Sequence, residues 1–69
     1  MISYAPLWRT MQEQSATTYT LEVKGKISSS TIRRLKAGES VSTNTLDALC
    51  QILHCKIADV IEFVENQQE

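Results

Sequence analysis

Leu21-Glu22-Val23-Lys24-Gly25-Lys26-Ile27-Ser28-Ser29-Ser30-Thr31-Ile32-Arg33-Arg34-Leu35-Lys36 is the stretch that decides the reading of this chain. A glycine break stands beside an isoleucine, and a cluster of hydroxyl residues follows. Ile32 and Leu35 come next at helical spacing with two arginines between them. Lys24, Lys26, Arg33, Arg34 and Lys36 are five of the seven cations in the protein, and after Glu22 the stretch holds no acid. Small hydroxyls at a helix start, with arginines one turn on, suit an element that enters a DNA groove.

The remaining charge is arranged differently. Asp59, Glu62, Glu65 and Glu69 lie in the last eleven residues with no cation among them. Net charge is −1, so any attraction to a polyanion must come from the local field of residues 24–36. The competing reading of the basic run is one solvated helix face.

A chain of 69 residues makes one domain with a single small core. No apolar run approaches the ~20 residues of a membrane span. The opening Met1-Ile2-Ser3-Tyr4-Ala5-Pro6 lacks the charged and apolar regions of a signal peptide, so a cytoplasmic location is expected. The expected layout is a domain over residues 1–64 and a polar, frayed tail over residues 65–69.

Helical elements account for most of the pattern. Pro6 suits a first helical turn, and Leu7, Trp8 and Met11 share a face of a helix running to Gln14. Thr17 can cap a second helix. Its body is ambiguous, because Tyr19, Leu21 and Val23 alternate with polar residues and locally favour a strand. The other strand candidate, around Glu62-Phe63-Val64, is short, so a weak helix held by packing is favoured for residues 18–24. Ser28 or Ser29 caps a third helix ending near Lys36, and Gly38 stops it. Ser42 caps a fourth helix, Thr43 to Leu53, with Leu46, Leu49, Cys50 and Leu53 on one face. A short fifth helix is predicted over about Ile57 to Phe63, with Asp59 favouring its positive end. Trp8 reads as a core residue, and Tyr19 as either packed or close to a bound duplex.

Cys50, His54 and Cys55 invite a metal reading. Three ligands fall short of the four of structural zinc. Residues five apart on a continuous helix diverge, which disfavours a disulfide. Cys50 is expected to be a buried, reduced core residue and Cys55 more accessible, with no metal or other cofactor.

Five short helices with a basic third helix resemble the lambda-repressor/Cro-like (XRE-type) helix-turn-helix family, over nearly the whole chain. Leu21, Ile27, Ile32 and Leu35 fall on four of the motif's apolar offsets. Lys36-Ala37-Gly38-Glu39-Ser40-Val41-Ser42-Thr43-Asn44-Thr45-Leu46 looks like its loop into the fourth helix, and Leu53-His54-Cys55-Lys56-Ile57-Ala58-Asp59-Val60-Ile61 like its approach to the fifth. The opening Ile2 to Trp8 resembles a subgroup of small bacterial and phage-like single-domain regulators. Two positions depart from the pattern. Glu22 stands where the family often has alanine. Lys26 stands where it usually has glycine, with Gly25 one place earlier. Either Lys26 takes a left-handed backbone, costing about 1 kcal/mol, or the turn is rebuilt around Gly25.

The resemblance implies an all-α five-helix domain that binds double-stranded DNA as a transcriptional regulator, expected to be a repressor. Residues of about 28–36 would enter the major groove. Base readout is expected from Ser28, Ser29, Ser30, Arg33 and Arg34. Arg34 lies ~200° around the helix from Ile32 and is the better placed arginine. Phosphate contacts are expected from Lys24, Lys26 and Lys36, and from the hydroxyl or backbone groups of Thr17, Thr18, Thr31, Ser42, Thr43 and Asn44. For the threonines and Ser42, plain capping is the competing role. A homodimer on a palindromic operator is expected, with Phe63 and Val64 as contact candidates. No catalytic set is present, so no enzyme is expected. The alternative is a protein-interaction module on the same fold, such as an antitoxin or anti-repressor.

Overall fold

A computed structural model describes residues 1–65, so Asn66 to Glu69 of the expected frayed tail lie outside the described residues. Four α-helices carry the fold: α1 (Ala5–Glu13), α2 (Thr18–Gly25), α3 (Ser29–Ala37) and α4 (Thr43–Leu53). A 3-10 turn, Ile57–Asp59, follows. Two short strands, β1 (Ile2–Ser3) and β2 (Glu62–Phe63), pair antiparallel with Ile2 opposite Phe63 and Ser3 opposite Glu62.

Each of α2, α3 and α4 starts at a hydroxyl cap that satisfies a first-turn donor. Thr17 accepts from the Thr20 backbone N–H while Thr20 Oγ1 accepts from that of Thr17, a reciprocal pair. Ser28 accepts from the Thr31 N–H and Ser42 from that of Thr45, each at 3.2 Å. These caps and the burial of Leu21 hold residues 18–24 helical against their strand-like composition.

The core is one cluster of Tyr4, Leu7, Met11, Leu21, Ile27, Ile32, Leu35, Leu49, Leu53 and Val60. All four of the motif's apolar offsets are in it. Trp8 is half-buried and packs against the cluster, while Tyr19 is exposed and does not pack. Three side chains pin distant backbone: Tyr4 OH donates to the Glu39 carbonyl (2.7 Å), Thr10 Oγ1 to that of Asp59 (2.8 Å) and Gln14 Nε2 to that of Leu53 (2.7 Å).

The predicted fifth helix does not form, and the domain is not helical throughout. Helical hydrogen bonding stops after one 3-10 turn, where Val60 has φ −116° and is fully buried. The β-branched and aromatic residues beyond it find a partner in Ile2–Ser3. The Val64 N–H donates to the Met1 carbonyl at 2.7 Å and extends the ladder. Glu62–Phe63, read from sequence both as the end of that helix and as a short strand candidate, takes the strand. The partner lies at the other end of the chain.

The turn between α2 and α3 is built on Lys26 and not around Gly25. Lys26 is left-handed (φ 54°, ψ 35°), and its N–H and that of Ile27 both donate to the Leu21 carbonyl. Gly25 is needed for space. A Cβ there would collide with Ile52 Cδ1 on α4 and sit 2.9 Å from its Cγ1. Lys26→Gly is therefore expected to stabilise the fold by about 1 kcal/mol by relieving the left-handed side chain. Gly25→Ala is expected to cost about 1–3 kcal/mol through overpacking. Denaturant midpoints of the two variants check both signs.

Candidate nucleic-acid interface

The facing of α3 follows from its two anchors. Ile32 and Leu35 are buried, so Ser29, Ser30, Arg33, Arg34 and Lys36 are left exposed. Ser28 is exposed too, but its hydroxyl is engaged. It accepts from the Thr31 N–H and lies 2.9 Å from Thr31 Oγ1 and 3.1 Å from Ser30 Oγ. Ser28 is thus a cap first, and Ser29 has the freer hydroxyl for a ligand.

Two shallow grooves flank the helix. One, between α2 and α3, is lined by Thr18, Glu22, Ser29, Ile32, Arg33 and Lys36. The other, between the turn and the start of α4, is lined by Gly25, Lys26, Ile27, Ser28, Thr31, Asn44, Thr45 and Ala48. The second brings Lys26, Thr31 and Asn44 together from three parts of the sequence, beside the N-termini of α3 and α4. A cation and two positive helix ends suit a backbone phosphate. Thr43 and Lys24 are exposed but line neither groove, and Thr17 and Ser42 spend their hydroxyls on capping.

Glu22 has no role in the sequence reading, yet it lines the same groove as Arg33 and Ser29. Its signal was the carboxylate in place of the family's alanine. An acid there repels phosphate and favours a nearby guanidinium. Tyr4 was also missed. It fixes the loop between α3 and α4 through Glu39, and aromatic burial so close to the N-terminus left no periodic trace.

The cysteine region departs from expectation. Cys50 and Cys55 are both free and both half-buried, so Cys50 is less buried than expected. The helix ends at Leu53, and His54 turns left-handed (φ 52°). The premise of a continuous helix fails, and the chain folds Cys55 back on Cys50. Burial, then the neighbouring Cys50 and Asp59, push the Cys55 thiol above its usual range. Its alkylation by iodoacetamide should be slower at neutral pH than that of a free cysteine, and should rise over a more alkaline range.

The Cro/C1-type HTH DNA-binding domain matches residues 6–66. The chain belongs to that family. Among solved structures, that of the transcriptional regulator VanUg is similar, with 33% identity and a TM-score of 0.83 over 88% of this chain and 81% of that one. No curated protein matches. In this Cro/C1-type domain Lys26 stands in the turn between α2 and α3. Among the described residues no helix is long and apolar enough to cross a membrane.

Proposed function

We propose that the protein is a sequence-specific double-stranded DNA-binding regulator that inserts α3 into the major groove. The observation that carries this is the facing of α3. Ile32 and Leu35 anchor it to the core and turn Ser29, Ser30, Arg33 and Arg34 outward as one exposed surface in a Cro/C1-type domain. Ser29 and Ser30 let the helix end approach the bases closely. Arg34 reads a guanine through O6 and N7, and Arg33 contacts a base or the adjacent phosphate under the influence of Glu22. Lys24, Lys26 and Lys36 neutralise phosphates, and the amide-rich starts of α2 and α4, at Thr17–Thr18 and Ser42–Asn44, hold the backbone on either side. The likeness to a protein named as a transcriptional regulator supports the regulatory role. Repression by occupying the operator needs nothing beyond this surface, and it would act in the compartment that holds the DNA, the cytoplasm.

One domain of this size gains affinity by pairing on a palindromic site. We place the homodimer contact at the sheet. Phe63 is 72% and Ile2 50% exposed although they face each other across the ladder, and Val64 beside them is 42% exposed. Phe63→Lys should leave the helical signal intact, remove the dimer in sedimentation, and weaken binding to a two-half-site operator at least tenfold. Unchanged sedimentation would move the contact elsewhere. For the DNA surface itself, Lys36→Ala should weaken binding to all sequences alike and lower the salt slope by about one phosphate contact. An unchanged slope would remove Lys36 from the interface. If Lys36→Ala and Arg34→Ala both spared DNA binding and abolished binding to a protein partner, the interaction-module reading would hold instead.

A further inference from the structure

The strongest unassigned feature is the pair of thiols at the end of α4. His54 and Cys55 both donate their backbone N–H to the Cys50 carbonyl, the latter at 3.1 Å. This hydrogen-bonded reversal lays the second residue beyond a helix over the residue three before its end. Here both residues are cysteines. Both side chains pack, half-buried, against the same core cluster, and after burial itself Cys50 is among the groups that raise the Cys55 thiol. A disulfide needs two backbones held close with their side chains on one side; the shared Cys50 carbonyl holds the backbones close, and both side chains pack on the same core cluster.

We infer that Cys50 and Cys55 close into an intramolecular disulfide on exposure to a low-molecular-weight disulfide, making the end of α4 a redox-responsive clasp. One protein thiol loses its proton and attacks a sulfur of the external disulfide, breaking that bond and releasing one small thiol. The other protein thiol loses its proton and attacks the protein-side sulfur of the mixed disulfide, expelling the second small thiol. Two electrons and two protons pass from the cysteines to the external disulfide, which leaves as two thiols. In a reducing compartment the clasp stands open, and it closes under oxidative load. Closure ties α4 to the segment that leads into the 3-10 turn, which α1 holds through Thr10 and the Asp59 carbonyl. Neither cysteine lines the grooves beside α3. The clasp therefore governs the stability of the domain and leaves its DNA-facing surface in place.

The test is incubation of the folded protein with oxidised glutathione, followed by intact mass, free-thiol titration and denaturant unfolding. Both thiols should disappear together with the loss of two hydrogen masses and no lasting glutathione adduct. The oxidised protein should unfold at higher denaturant, reversibly with dithiothreitol. Cys55→Ser should instead retain a stable adduct on Cys50. A lasting adduct on the unsubstituted protein would overturn the inference. So would a disulfide-linked dimer, or thiols that stay free under conditions that oxidise the unfolded chain. None of these readouts depends on DNA, so the outcome is independent of the proposed function.

Discussion

Leu35→Ala is expected to leave the protein largely unfolded at 37 °C, and DNA binding should be lost with the fold. Leu35 is 1% exposed and sits on α3 between Arg34 and Lys36. Truncating a buried leucine costs about 2–5 kcal/mol through lost transfer energy and the residual cavity. A domain of this size has roughly 3–10 kcal/mol of total stability. The loss is a large share of that total. Circular dichroism against temperature checks it, and a melting point within a few degrees of the parent would mean that α3 is not anchored as described. Lys36→Ala, one residue on but exposed, is the control, because a surface truncation should leave the melt almost unchanged.

Arg34→Ala is expected to have the largest effect on recognition with an intact fold. Its side chain points away from the Ile32–Leu35 face, so the melt should barely move. Loss of a bidentate arginine–guanine contact should cost about 1–3 kcal/mol at one base pair in each half-site and equalise the preference there. Binding to operators carrying each of the four base pairs at every position would reveal it. A uniform loss across all sequences would assign Arg34 to the backbone instead.

The parts of this fold that were legible in the sequence are those where chemistry and periodicity agree. Thr17, Ser28 and Ser42 each had a hydroxyl just ahead of an apolar face, and each is a cap. Leu21 lay in a segment whose composition favours a strand, and packing decided for helix. Gly25 and Lys26 could not be separated, because the left-handed residue and the residue needing space are different and adjacent. The space is claimed by Ile52, twenty-seven positions away. The sheet was half legible, with Glu62-Phe63-Val64 a short strand candidate and its partner unseen. Glu62–Phe63 is a strand only because Ile2–Ser3 returns to it, and no local pattern announces that pairing. The placement of Cys55 over Cys50 was missed because helix spacing was applied past the helix end at Leu53. For the candidate site, Ile32 and Leu35 set the facing of the arginines from sequence alone. Glu22 acquires a place beside Arg33 only once α2 and α3 are folded together.

Selection of double-stranded DNA from a random pool, at a low and a near-physiological salt concentration, tests the central claim most directly. The account predicts enrichment of a short motif in two inverted copies, retained at the higher salt, with guanine at the position that Arg34→Ala relaxes. Recovery of DNA at low salt without any enriched motif, or of no DNA at either concentration, would contradict it.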